Sequence, residues 1–573
     1  MITGSPAVKN DSFSLLEAYA FTQLLSQRFD AERELLNRLD NAIGDGDHGE
    51  TMANGLGRAA QGIGLDEQKD LGTFFDSFAL KFMENTGGAI GPLVGGFFAE
   101  GALVFKGTAQ AGPGEISGFL SAGLEAVQEI GGAVEGDKTL VDALAPAARA
   151  ASQATGSVQE CLQSAIAAAA EGIHKTRQMQ ARRGRARFLQ ARSVGAQDAG
   201  ATCILFILET LAAAAAGETA GWTAAENRLD FAESIRRHNF VNSPERLMPD
   251  NLAGFAAAYP DYVRILPSGL LMRAHPKPAG KVGLAMGHGG GHEPAMCGFI
   301  GYGLLDTDMT GPLFTCAPGT QIRDAILHAD RGAGVILLVS NHEGDVLNAR
   351  LAVRQARQLG IEVRMVLLYD DIATAPRERV AERRGKGGMT FALKTAGAAA
   401  ERGYSLDEVE RTMVKTNDWT VAVGVALRSP LHPVTGGAMF DLQTGQMEVG
   451  VGGHGEAGIY QGDLLSAEET MDLVGGQLLD DLPFGAGDEI LVFLDSSGGL
   501  PMTELHALFL RLAEICSQRG ILIYRSLIGE YYTTQQMGGF TLSLCKVDAE
   551  LKSLWSDPAN GAYFKIFEPG EAH

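Results

Sequence analysis

The hydrophobic pattern changes character near Ala216, and that change limits the chain to a helical part followed by an α/β part. Up to Ala216 the sequence is rich in Ala, Leu and Glu, and apolar residues recur at helical spacing. Phe13, Leu16, Ala20 and Leu24 form one such series, and Leu35, Leu36 and Leu39 another. Ile204–Ala216, interrupted by Glu209, is too short to span a bilayer and predicts a buried helix. We therefore expect residues 1–216 to be an all-α domain with functional loops and 217–236 to be a linker. Residues 237–573 are expected to be α/β, in two lobes of about 237–425 and 426–573. There the run Gly334–Ser340 predicts a buried strand, Asp345–Leu359 a helix and Ile361–Tyr369 the next strand, a βαβ unit. Ile490–Asp495, Thr503–Arg519 and Ile521–Leu527 repeat the pattern.

Charge narrows the partners. With 47 basic and 69 acidic residues the net charge is −22, which argues against nucleic acid and against anionic membranes. Six scattered cysteines without a C-x-x-C pair fit a reducing cytoplasm rather than a zinc ribbon. The first residues carry Asp11 and Glu17 and no basic-then-apolar pattern, so they do not read as a signal peptide. The 74 glycines cluster in short runs between apolar segments, a pattern suited to backbone-lined ligand loops.

Six segments carry the chemistry. Asp40, Asp45 and Asp47 lie within eight positions, punctuated by glycines. Three carboxylates this close suit a hard cation such as Mg²⁺ or Ca²⁺, although a solvated acidic turn has the same spacing. An EF-hand is excluded, since Leu56 stands where its last carboxylate belongs. Asn85–Gly96 (NTGGAIGPLVGG) offers backbone N–H groups for phosphate, or simply close helix packing. Thr176–Ser193 concentrates six arginines, suited to phosphate or to a solvated helix face. In the second half, Val282–Met286 predicts a strand entering the loop GHGGGHEP. Asp345 is expected where a strand ends and a helix opens, as a ligand-side carboxylate or as an N-cap. His454, in GVGGHGEAG, is expected to be an exposed imidazole able to attack a carbonyl carbon.

Taken together, these motifs resemble the dihydroxyacetone kinase family over nearly the whole chain. IGDGDHG, GGAIGPL, GDKT and QARRGRARFLQARSVGAQDAGA are similar to its nucleotide domain; GGGHEPAMCGFIGYG, LFTCAP, NHEGD, RRGKGG, GVGGHGEAGI and RSLIGEYYTT are similar to its ketose domain. The resemblance implies a helical barrel followed by a two-lobed α/β domain, an ATP-dependent ketose kinase, and a homodimer. It implies that Asp40, Asp45 and Asp47 hold two Mg²⁺ ions and that His48, Thr51, Gly88, Thr139, Arg185 and Asp198 lie at the nucleotide. It implies His454 as the residue that captures the ketone as a hemiaminal, Asp345 as general base and His292 as hydrogen-bond partner of the reacting hydroxyl. Gly289, Ser340 and Cys316 fall at the substrate.

The departures from the family pattern are specific. The domain order is reversed, so the ATP domain is expected to reach either its own ketose site or that of a neighbouring subunit. Ile90 stands for a Ser and Ala199 for a Pro. In the ketose site Ser340 replaces a Lys, His342 and Glu343 replace a Tyr-Thr pair, and Cys316 replaces a Ser. Losing a long cation and gaining a carboxylate favours a larger pocket, so erythrulose is expected alongside dihydroxyacetone. Two other roles are compatible with the motifs: a kinase whose bound nucleotide is recharged by a phosphoprotein of a phosphotransferase system, and a ketose-binding regulator.

Overall fold

The computed structural model describes residues 12–65, 68–218, 240–433 and 437–567. The chain divides into two compact units, Met1–Leu229 and Asp230–His573. From residue 219 to 236, the expected linker lies outside the described residues. No described helix is long and apolar enough to cross a membrane. All six cysteines are buried and free.

The first unit is helical: α1 (Leu15–Ala31), α2 (Arg33–Asn41), α3 (His48–Gln61), α4 (Leu71–Asn85), α5 (Ile90–Val104), α6 (Pro113–Gly131), α7 (Val141–Gln153), α8 (Val158–Thr176) and α9 (Ala199–Ala215). A two-residue pairing of β1 (Phe13–Ser14) with β2 (Gln110–Ala111) accompanies them. Local chemistry starts these helices. Ser157 and Glu160 satisfy each other's backbone N–H at the start of α8. Asp198 caps α9 by accepting from the Ala201 N–H at 2.7 Å, and Pro113 sits at the first position of α6. From α3 onward each helix packs on the next, and α9 packs back on α1. The core is built of aromatic rings, with Phe75 within 5.2–6.5 Å of Phe13, Phe21, Phe74, Phe98, Phe105 and Phe119. Leu16 does not belong to it. The buried face of α1 is Ala18, Phe21, Leu24, Leu25 and Phe29, and Leu16 is exposed. Phe13 is in β1, so the apolar series that included it crossed the strand–helix boundary.

The second unit contains two six-stranded sheets. The first has the order β3 (Val263–Ile265), β4 (Leu271–Arg273), β7 (Thr307–Leu313), β5 (Gly283–Gly290), β8 (Val335–Ser340) and β9 (Val363–Leu368). The strands β7, β5, β8 and β9 are parallel, and every residue of β5 and β8 is buried, as a sheet covered on both faces requires. The second sheet runs β12 (Tyr460–Asp463), β11 (Gln446–Val449), β10 (Thr420–Arg428), β15 (Gly538–Val547), β13 (Glu489–Ser496) and β14 (Leu522–Gly529). Only β13 and β14 pair in parallel within it, and they enclose the helix Met502–Gln518. β10 crosses the lobe division expected at 425/426 and belongs whole to the second sheet. A third, small sheet joins β6 (Gly301–Tyr302) to β16 (Ala559–Gly561) and β17 (Lys565–Ile566), so the end of the described chain returns to the first lobe.

Two boundaries differ from expectation in ways that matter for the site. β5 does not stop at Met286. It continues to Gly290, because Gly287 and Gly289 lie so close to Ile322 and to the Phe314–Thr315 turn that any side chain would collide. The helix after β8 begins at Glu343 with His342 as its N-cap residue. Asp345 is therefore inside the first turn and is not the N-cap.

Candidate active site

In the helical unit, the Asp40–Asp47 loop joins α2 to α3. One oxygen of Asp40 accepts from the N–H groups of Gly46 (2.8 Å) and Asp47 (3.2 Å), which folds the loop back on itself. One oxygen from each of Asp40, Asp45 and Asp47 lies within 4.8 Å of the others. Asp45 is buried and ion-paired with Arg185. Three converging carboxylates fit Mg²⁺, a hard ion that leaves part of its shell for water and phosphate.

The other expected residues gather around this loop to different degrees. His48 Nε2 lies 3.0 Å from Cys203 Sγ on α9, and burial holds its imidazole below the ordinary value. Asp198, within electrostatic reach of Asp142, Lys138 and Asp40, is pushed up to about 7 by burial. Thr139 sits in a turn closed by Asp142, which accepts from the N–H groups of Gly136 (2.6 Å) and Thr139 (2.7 Å). Thr51 is on the first turn of α3, and Gly88, at φ +63°, shapes the turn entering α5. The N-termini of α3, α7 and α9 thus share one end of the unit, where their dipoles favour an anion.

One reading needs correction. The arginine-rich stretch is not a helix face: α8 ends at Thr176 and a 3₁₀ segment runs Arg185–Ser193. Its glycine-interrupted arginines reach separate partners, Arg177 to Gln197 and Arg183 to the Gly132 carbonyl. Lys138 of the GDKT turn is buried, and its Nζ donates to the carbonyls of Thr176, Met179 and Ala196.

In the α/β unit, His292 and His454 meet with Nε2 to Nε2 at 3.1 Å. His292 donates from Nδ1 to the Thr533 carbonyl at 2.8 Å and stacks on Tyr532, with centroids 4.8 Å apart. Burial, reinforced by the neighbouring His454, holds its imidazole well below the ordinary value. His454 is buried at 8% exposure, against the exposed position expected for it. The Gly450 and Gly455 backbones, at φ +86° and +79°, fold its loop inward. Glu456 anchors it twice, accepting from the His454 N–H at 2.8 Å and facing its Nδ1 at 3.1 Å. Burial opposes the charge of Glu456, but His454 and then Arg384 hold its carboxyl well below the usual range. Phe314, a non-glycine residue at φ +55°, packs its ring 5.6–5.7 Å from both histidines.

Asp345 is buried beside Cys316, whose thiol burial and Asp345 push far up, and beside Tyr532. Ser340 ends β8 and lies 2.9 Å from His342 Nδ1. His342 stacks edge-on with His454, centroids 5.3 Å apart. Gly289 has a packing reason, since a Cβ there would lie 2.8 Å from the Thr315 nitrogen. Sequence reasoning missed Glu456, Tyr532, Thr533 and Arg384 as members of this site. All four lie in or beside quoted motifs, and only the fold brings them to the imidazoles.

These two sites define a class: a two-unit protein with a three-carboxylate loop in its helical unit and a buried imidazole pair in its α/β unit. The chain belongs to the dihydroxyacetone kinase family, with a DAK2 domain over residues 42–213 ahead of a Dak1 domain over residues 253–563. It is 34% identical over 328 residues to the dihydroxyacetone-binding subunit DhaK of PTS-dependent dihydroxyacetone kinase 2 from Listeria innocua, covering 57% of this chain and 98% of that one. It is 34% identical over 322 residues to L-erythrulose 1-kinase of Mycolicibacterium smegmatis, a match that spans 56% of each chain. Among solved structures, the dihydroxyacetone kinase of C. freundii in complex with AMP-PNP and Mg²⁺ is similar with a TM-score of 0.54 and 28% identity, covering 59% of this chain and 62% of that one.

Proposed function

We propose that the chain is an ATP-dependent kinase that phosphorylates a terminal hydroxyl of a short-chain ketose, dihydroxyacetone or a tetrulose such as erythrulose. The observation that carries this reading is the gathering of His454, His292 and Asp345 around Tyr532 in one buried cluster. The names of the relatives and of the nucleotide-bound neighbour support it. Glu456 accepts the Nδ1 hydrogen of His454, which leaves the Nε2 lone pair for the ketone carbon. The C–N bond forms as the C=O π bond breaks, the carbonyl oxygen takes a proton from solvent while the Nδ1 hydrogen of His454 passes to Glu456, and His292 accepts a hydrogen bond from the terminal hydroxyl that reacts. Only a carbonyl compound can be held this way, so glycerol is excluded. Asp345 then accepts the proton of the terminal hydroxyl that attacks the γ-phosphate.

Asp40, Asp45 and Asp47 would hold two Mg²⁺ ions, which neutralise phosphate charge when bound. Arg185, His48, Thr51, Gly88, Thr139 and Asp198 would line the nucleotide. The helical barrel is the reading that the neighbour order of α1 to α9 supports. Ser340, short where the family has a long cation, favours a four-carbon ketose. Replacing Ser340→Lys should shift preference toward dihydroxyacetone; an unchanged ranking of triose over tetrose sinks this pocket assignment.

The deciding assay is ADP release with ATP and Mg²⁺ against dihydroxyacetone, D-erythrulose, L-erythrulose and glycerol. Turnover on a ketose but not on glycerol is expected. A second reading, a phosphoprotein-recharged kinase, is favoured by the PTS-dependent relative. It predicts that ADP stays bound and that ATP alone gives no turnover. Ketose binding without transfer from either donor would leave a regulatory protein.

A further inference from the structure

We propose that His342 Nε2, His454 Nδ1 and the Glu456 carboxylate form a three-ligand site for a borderline divalent transition metal such as Zn²⁺, and that an ion held there withdraws His454 from carbonyl capture. The second clause rests on the kinase reading; the first does not.

One ligand atom from each of the three residues lies within 4.8 Å of the others. Glu456 Oε1 is 3.1 Å from His454 Nδ1 and 3.7 Å from His342 Nε2. Ligand atoms around a tetrahedral zinc ion, with bonds near 2.1 Å, stand roughly 3.4 Å apart, so the spacing brackets what such an ion needs. The His454 N–H holds the other carboxylate oxygen at 2.8 Å and keeps Oε1 turned to the rings.

The hydrogen-bond accounting points the same way. Ser340 Oγ donates its hydrogen to the Gly385 carbonyl, so it accepts from His342 Nδ1 at 2.9 Å. His342 Nε2 is then the ring nitrogen turned toward Glu456. His292 donates its Nδ1 hydrogen to Thr533, so its Nε2 can accept from His454 Nε2, 3.1 Å away, once an ion displaces the Nδ1 hydrogen that Glu456 otherwise accepts. The same displacement opens the His454 Nδ1 lone pair to the ion beside Glu456. Each imidazole thus has its remote nitrogen held by an acceptor, the arrangement that orients metal-ligating histidines. Metal binding thus releases the His454 proton and sets the ion's charge against the Glu456 carboxylate. Two imidazoles and a carboxylate with an open fourth position suit zinc. With an ion on Nδ1 the hydrogen of His454 stays on Nε2, which then has no lone pair for the ketone carbon.

The test uses the full chain, stripped with chelator, resupplied with excess Mg²⁺ to fill the Asp40–Asp47 loop, and titrated with Co²⁺ as a spectroscopic probe. We expect the intense visible bands of four-coordinate Co²⁺ at one equivalent, erased by Zn²⁺, and lost in His342→Asn and in Glu456→Gln. Thermal melts show which variants fold, and either variant alone suffices. Absence of the bands in the parent chain, or bands of equal intensity in the folded variants, overturns the site. If ketose turnover is present, one equivalent of Zn²⁺ should lower it at least tenfold in the parent chain and less than twofold in His342→Asn; equal inhibition of both overturns the link to His454. If turnover is absent with every ketose, the kinase reading fails while the Co²⁺ bands still decide the site.

Discussion

In the proposed mechanism His454 captures the ketone, and its setting makes a direct prediction. Replacing His454→Ala should lower ketose-dependent ADP release by roughly 100-fold or more, since the captured intermediate disappears. The melting temperature should stay close to that of the parent chain, because the ring belongs to none of the hydrophobic core clusters. A second residue-scale prediction concerns His288. Its Nε2 lies 3.0 Å from Asp308 Oδ1, and both are buried. Burial alone would lower this imidazole, but Asp308 lifts it to about 9. A raised imidazole contributes stability that is complete below the unfolded value near 6.5 and is lost as pH rises through 9. Unfolding free energy should therefore fall by about 3 kcal/mol between these limits, and Asp308→Asn should abolish that slope in urea titrations at stepped pH. The histidines themselves were legible as residues of interest. That His288 is an ion-pair member within a strand, and His292 a member of the reactive pair, depends on β5 running on to Gly290.

At the scale of elements, glycine decides how closely helices and strands approach. Gly397 lies inside the helix Met389–Glu401, where alanine would raise helix propensity by about 1 kcal/mol. A Cβ there would run into the Gly303 carbonyl. The steric term should win, and Gly397→Ala should destabilise by about 1–3 kcal/mol in chemical denaturation. A stabilised variant would mean that the loop at Gly303 yields freely. The same scale shows where periodicity fails. The run Val335–Ser340 and its partner Val363–Leu368 were legible because a strand buried on both faces must be apolar throughout. Leu16 was misplaced because a short strand precedes α1 and resets the helical phase. The arginine stretch was misread because α8 ends at Thr176, and Gly184, at φ +64°, opens a separate 3₁₀ segment at Arg185.

At the scale of the whole molecule, two units with separate cores predict ligand responses confined to one unit. Mg²⁺ with ADP at 100 times its dissociation constant should stabilise the helical unit by about 2.7 kcal/mol. Hydrogen exchange should slow around residues 40–48, 136–142 and 185–198 and stay unchanged over 283–292 and 450–458. A ketose should produce the opposite pattern. Protection of both regions by one ligand would show that the units do not respond independently.

By itself the sequence determined the order of the two units, the helical and α/β textures, and the loops that carry carboxylates and imidazoles. Hydrophobic period and glycine placement are local properties, and local properties can be read from a string. Tertiary structure decided which side chains meet. His292 and His454 stand 162 positions apart, and Glu456 and His342 are separated by 114. Lys138 illustrates the converse, a cation of the GDKT turn whose charge is spent on three backbone carbonyls. Burial and hydrogen-bond partners assign such roles. They arise only when distant segments close around one another and exclude water.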